Sequence, residues 1–184
     1  MKKFMIALGV LLIIIGCGIL IGKFVMDKMN TDKMNGLTET FMTNIDSKQE
    51  PIVENSGNPI AVLEFPRFGD QVAVTEGVDL SVIAYSAGHF PETPLPWEDS
   101  GNSAFAAHND TFFKNVEKFV PGDKIIVHSK EGRFEYRVTG LKEVDLSDVS
   151  VLENVTDRKK ITLVTCNFTG STRVIAFAEG GEKI

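Results

Sequence analysis

Cysteine is nearly absent: Cys17 and Cys166 are the only two in 184 residues. Cys17 falls inside an apolar N-terminal run, which leaves Cys166 without a partner in the rest of the chain. A lone thiol outside the cytoplasm is read as an intermolecular bridge or a reactive group, and a buried inert cysteine is the plain alternative. A resolving cysteine, which a thiol redox sensor needs, is missing as well. Basic residues are in deficit, 19 Lys and Arg against 25 Asp and Glu, for a formal net charge of −6. That balance gives no case for nucleic acid as a partner, which calls for a basic face. No internal repeat is visible. Helical periodicity is scarce beyond Pro59, which argues against an alternating α/β fold.

What is present begins with a charge-free stretch from Phe4 to Gly22, preceded by Met1-Lys2-Lys3. Nineteen such residues reach the length a helix needs to cross a bilayer. The organisation expected is a cytoplasmic tip at 1–3, a transmembrane signal-anchor at 4–25, a polar stalk at 26–58 and one domain at 59–184. Two other readings of the apolar run stand beside the anchor. Ile14-Ile15-Gly16-Cys17 resembles a lipobox, in which Cys17 is lipidated, and a cleaved signal peptide has a similar outline. Every version puts the protein on the membrane or beyond it. The single-pass form places the domain outside the cell, although Lys23, Lys28 and Lys33 weaken the charge asymmetry that sets orientation. The stalk shows no sustained period, with at most partial helix between Phe24 and Ile45.

From Ile60 the chain becomes short apolar stretches broken by Gly, Pro and Asp. Strands are expected at Ile60–Phe65, Gln71–Thr75, Ser103–Ala107, Lys124–His128, Arg133–Val138, Lys160–Cys166 and Arg173–Ala178. Two short helices are expected at Phe112–Phe119 and Val149–Val155. Many short strands at close spacing indicate an all-β barrel or sandwich, and closure into a barrel removes exposed edges.

Cys166 ends the apolar strand Ile161-Thr162-Leu163-Val164-Thr165, a rigid platform followed by an accessible loop. A cysteine nucleophile acts as thiolate and needs a base or cation nearby. Of the three histidines, His128 lies in a strand beside a turn and is read as a surface residue. His89 sits in a loop context, as a candidate near the site. His108 ends the run Ala104-Phe105-Ala106-Ala107, so it terminates a strand as Cys166 does. Arg173 opens the last strand, seven residues after Cys166. It is either an oxyanion donor or a solvated edge charge. Thr165 is a candidate groove residue, and Ala104, Ala106, Val164 and Ile175 are candidates for its aliphatic wall. Glu143, Asp145 and Asp148 are read as a solvated loop rather than a calcium site.

Thr162-Leu163-Val164-Thr165-Cys166, with Ala107-His108 upstream and Arg173 downstream, resembles the signature of sortases, the Gram-positive cell-surface cysteine transpeptidases. Ser86-Ala87-Gly88-His89-Phe90-Pro91-Glu92-Thr93 and the stretch from Phe112 to Asp123 look most like class D sortases. The resemblance spans roughly Ile60 to Glu179. Ala107 stands where the family commonly has glycine, and the loop from Cys166 to Arg173 is short. The resemblance implies an eight-stranded β-barrel. It also implies cleavage of a Leu-Pro-x-Thr-Gly-like sorting signal between Thr and Gly through a Cys166 thioester. His108 would serve as acid and base, and Arg173 would hold the carbonyl oxygen. A peptidoglycan-precursor or pilin amine would resolve the thioester, with no metal or organic cofactor. A cysteine hydrolase of cell-wall peptides and a non-enzymatic adhesion or pilus-associated module are the rival expectations.

Overall fold

The computed structural model describes residues 2–47 and 57–184. Its first element is one continuous helix, α1 (Lys2–Ser47). An 18-residue window of that helix averages 2.8 in mean hydropathy, and none of that window is buried inside the protein. By length and composition it can cross a membrane.

The helix runs on through most of the segment expected to be a stalk; positions 48–56 of that segment, like Met1 of the expected tip, lie outside the described residues. Its second half is no mere spacer. Met34, Leu37, Thr38 and Phe41 are all buried, at a spacing of three and four residues that aligns them on one face. That face packs on the first two strands of the barrel. Tertiary burial, not local propensity, holds this half in helical form.

Eight strands follow: β1 (Pro59–Phe65), β2 (Asp70–Glu76), β3 (Ala87–His89), β4 (Gly101–Ala106), β5 (Lys124–Ser129), β6 (Gly132–Val144), β7 (Lys159–Cys166) and β8 (Arg173–Lys183). They close into a barrel in the order β1-β2-β3-β4-β7-β8-β6-β5, with β5 returning to β1. The all-β expectation therefore holds, with closure leaving no open edge. Inward-facing Leu63, Val74, Phe105, Ile125, Tyr136 and Leu163 fill the interior.

β3 is not among the strands expected from the sequence. It has three residues, too few for an alternating pattern to register, yet it bridges β2 in parallel and β4 in antiparallel. A Cβ on Gly88 would lie 2.2 Å from the Gly77 carbonyl oxygen, so only glycine lets these backbones approach. A one-turn helix, α2 (Leu80–Ile83), links β2 to β3 and was also unexpected.

Both expected short helices shrink to single 3-10 turns, Val116–Lys118 and Ser150–Leu152. Phe112, Phe113, Val116 and Phe119 are instead buried in a chain of turns. Phe119 meets Phe65 edge-on with ring centroids 5.3 Å apart, and Phe113 lies 6.0 Å from the same ring. These aromatics anchor the loop that follows β4.

Two pairings position the site. β4 and β7 run parallel, with Ala106 opposite Val164 as their last pair. β7 and β8 run antiparallel, with Cys166 opposite Arg173.

Candidate active site

His108 lies two residues past Ala106, and Cys166 lies two residues past Val164. Because Ala106 and Val164 are partners on parallel strands, both side chains are delivered to one rim although they are far apart in sequence. Arg173 comes from the other side of Cys166 as its direct cross-strand partner, close enough for side chains to touch. Its Nη1 donates to Cys166 Sγ at 2.8 Å. All three residues are half-buried, so they are packed but reachable.

The three line one cavity of about 460 Å³ on the outside of the barrel wall. Ala106, Val164 and Ile175 form part of its wall. The remaining apolar surface comes from outside the three strands. α2 supplies Leu80 and Ile83, the chain after β3 supplies Phe90, and the β6–β7 connection supplies Leu146, Val149 and Val151. Val151 packs with Val144, Val164 and Ile175 in a small cluster that ties this connection to the wall. An apolar trough ending at a thiol, an imidazole and a guanidinium can hold an extended aliphatic chain with a carbonyl at the sulfur.

Other expected groove residues lie elsewhere. Thr165 faces away from the cavity, buried, and its hydroxyl donates to the Ala107 carbonyl at 2.8 Å. That bond clamps the two parallel strand ends together. Ala104 is fully buried, and its amide donates to Thr93 Oγ1. His89 is 2% exposed and turned from the cavity. Its Nδ1 is 3.1 Å from both carboxylate oxygens of Glu76, and its Nε2 is 3.2 Å from Thr93 Oγ1. The imidazole fastens β3 to β2 and to the following loop. His128, read as a surface residue, is buried and sits 2.6 Å from Glu64 Oε2.

A hydrogen-bond hub centred on Asn167 lies beside the site, with no signal for it in the sequence. Asn167 Oδ1 accepts from the amide of Ser171 and the hydroxyl of Thr169, and the Asn167 amide donates to the Thr172 carbonyl. Asn167 Nδ2 donates to Glu143, which also accepts from the Thr172 hydroxyl. Together these bonds close the hairpin between Cys166 and Arg173. Asn109 Nδ2 then donates to the Asn167 carbonyl at 2.7 Å, linking the His108 loop to that hairpin.

The carboxylates Asp145 and Asp148 turn inward on their own loop. Each is held below the usual carboxylate range, first by a neighbouring hydroxyl (Ser147 and Ser150, respectively) and then by the same serine's amide. Glu143 belongs to the hairpin network, so the three are committed to separate local hydrogen bonds.

Against known proteins, the family model for the sortase domain matches residues 63–180. Sortase D of Bacillus subtilis is 25% identical over 111 residues, covering 60% of this chain and 56% of that protein. Sortase SrtE1 of Streptomyces coelicolor is 29% identical over 155 residues, covering 74% of this chain and 44% of that protein. The chain thus spans about half the length of these curated relatives. Among solved structures, a Clostridium perfringens Sortase D5 transpeptidase aligns with a TM-score of 0.66 at 27% identity, over 86% of this chain and 99% of that one. Sortase E1 from Streptomyces coelicolor, solved with a tripeptide in its active site, aligns with a TM-score of 0.63 at 28% identity, over 68% and 89%. With the family model covering most of the barrel and every strand accounted for in a closed sheet, this chain belongs to the sortase family.

Proposed function

We propose that this protein is a membrane-anchored cysteine transpeptidase whose reaction centre is Cys166, His108 and Arg173. The observation that carries the reading is the 2.8 Å contact between Arg173 Nη1 and Cys166 Sγ at the end of an apolar cavity that His108 also lines. A cysteine attacks as its thiolate, and the Arg173 guanidinium stands beside the sulfur where that negative charge would sit. The thiolate attacks the carbonyl carbon of the threonine in a Leu-Pro-x-Thr-Gly-like segment, whose leucine and proline lie against Ala106, Val164 and Ile175. Negative charge develops on the carbonyl oxygen, where the remaining N–H groups of Arg173 donate to it.

His108 gives its proton to the departing glycine amine as the C–N bond breaks, leaving a thioester on Cys166. An incoming amine then loses a proton to His108 and attacks the thioester, forming the new amide and freeing the thiolate. The amine belongs to a peptidoglycan precursor or a pilin. In this reading the apolar first half of α1 spans the membrane, Lys2 and Lys3 stay inside, and the barrel faces outward. Support comes from the charge-free run of the helix and from the surface role of the family.

The test is a fluorogenic Leu-Pro-x-Thr-Gly peptide library offered to the purified chain, with triglycine and diaminopimelate-containing acceptors, beside Cys166→Ala. Thiol-dependent cleavage with acceptor joined to the threonine is expected. Release of free threonine carboxylate alone, even with acceptor in excess, points to a hydrolase. Absence of cleavage for every member removes the reading.

A further inference from the structure

The end of the barrel that carries the site is also the end from which the apolar half of α1 departs. Lys23 is the first charged residue after the apolar run, and its Nζ lies 3.6 Å from Asp110 Oδ2, two positions beyond His108. Both side chains are well exposed, so the contact adds little stability. Its value is positional. Farther along, Asp27, Thr31 and Met34 share a cleft with Asp70 and Phe112 on the same rim. The helix therefore descends the barrel flank from the rim toward Phe41, over ~27 Å from Lys23 at 1.5 Å per residue.

Exposed apolar side chains follow the same geography. Outside α1, the large exposed hydrophobics among the described residues are seven. Leu80, Leu146 and Val149 line the catalytic cavity, and Ile184 is the last residue. The other three are Val120, Leu141 and Phe168, on the turn that enters β5, the far half of β6 and the β7–β8 hairpin. Phe168 stands out at 96% exposed. It is not on a loose loop: the Asn167 network ties its hairpin shut, and Asn109 bonds that hairpin to the loop that touches Lys23.

We propose that the site rim of the barrel rests on the lipid surface, with Phe168 seated in the bilayer interface beside the emerging α1. This rests on the membrane-spanning reading of α1. An aromatic ring at headgroup depth loses water-exposed apolar area, as interfacial anchors do. Phe168 is one step past Asn167 and two past Cys166, so docking fixes the cavity mouth at headgroup height. A peptide or amine tethered to the same leaflet then meets the thiolate in a thin layer instead of the bulk, which raises its effective concentration without any new contact.

The experiment uses the full chain in nanodiscs of phosphatidylglycerol and phosphatidylcholine. The single tryptophan is removed by Trp97→Phe, and Phe168→Trp is introduced as reporter. Glu131→Trp, on the exposed turn between β5 and β6 at the opposite barrel end, is the control. Lipids brominated near the top of the acyl chains are expected to quench the F168W reporter about twofold or more and to leave E131W unchanged. Equal emission of F168W in brominated and plain lipid overturns the docking. An alkaline carbonate wash separates the two claims: a chain that washes off has no spanning helix and both fall, whereas a retained chain with unquenched F168W loses only the docking. A second readout is independent of the reporter. Phe168→Ser is expected to leave turnover of a soluble peptide unchanged and to lower turnover of the same peptide carried on a lipid; equal turnover of both overturns the proposal.

Discussion

Asn109 and Asn167 are joined by a 2.7 Å hydrogen bond from a side-chain amide to a backbone carbonyl, and each follows directly on a residue of the proposed reaction centre. The bond ties the His108 loop to the Cys166–Arg173 hairpin at the point where parallel pairing of β4 and β7 has already ended. Asn109→Ala is expected to lower kcat by about tenfold to a hundredfold with KM moved much less, since small displacements of positioned groups cost that much. Steady-state kinetics on a cleaved peptide check this. Unchanged kcat would show that His108 is placed without help from the bond.

Arg173 presents a planar fork, with one arm on Cys166 Sγ. Arg173→Lys keeps the charge and loses the fork. The expected result is a fall in kcat of about a hundredfold or more, the scale for removing an oxyanion donor. If acylation by a thioester-forming peptide proceeds at the original rate in this variant, the guanidinium is not the donor.

His89 was a candidate for the site, and its buried bonds to Glu76 and Thr93 give it a different task. His89→Ala removes one partner from these groups, at an expected cost of about 1–3 kcal/mol. Thermal melting should shift down accordingly, while kcat per folded molecule stays near that of the parent. A collapse in kcat with no loss of stability would return His89 to the reaction centre.

Phe41, 1% exposed, is the largest fully buried side chain that α1 contributes. Phe41→Ala is expected to destabilise the protein by about 3–5 kcal/mol, the range for emptying a buried phenylalanine site. Denaturant unfolding of the full chain in detergent measures it. An unaltered midpoint would mean that the helix does not belong to the folding unit.

Asp148, whose carboxyl Ser150 holds below its ordinary value of 3.8, bears on acid stability. A depressed pKa contributes stability that is fully present above the unfolded value and is lost as pH falls through the folded one. Ser150→Ala should therefore raise the Asp148 titration midpoint toward 3.8 in carboxyl NMR and leave stability near neutral pH without pH dependence. A midpoint that stays put assigns the depression to something other than the serine.

Much of the barrel was legible because its strands are short apolar runs with clear stops. Pro66 ends β1, and Lys130-Glu131-Gly132 turns β5 into β6. β3 left no trace, since three residues with a central glycine carry no period. The buried face of α1 did leave one, in Met34, Leu37 and Phe41, but polar neighbours masked the spacing. Within the site, the Thr-Leu-Val-Thr-Cys motif and the ordered His and Arg led to the three residues now found around one cavity. Strand alternation could have removed Thr165 from the groove: with Cys166 and Val164 facing outward, the residue between them faces the other way. The Asn109–Asn167 bond had no such signal, because its acceptor is a carbonyl that every residue carries.

The parallel pairing of β4 with β7 has a consequence for when the surroundings of Cys166 are assembled. The two strands are separated in the chain by all of β5 and β6, and β8 must still add itself before Cys166 acquires its guanidinium. Contacts between such distant segments form late in folding, after the entropic penalty of closing a long loop. Cys166 Sγ thus has no guanidinium beside it until β8 has joined the sheet, so the arrangement around the sulfur is completed only by closure of the barrel.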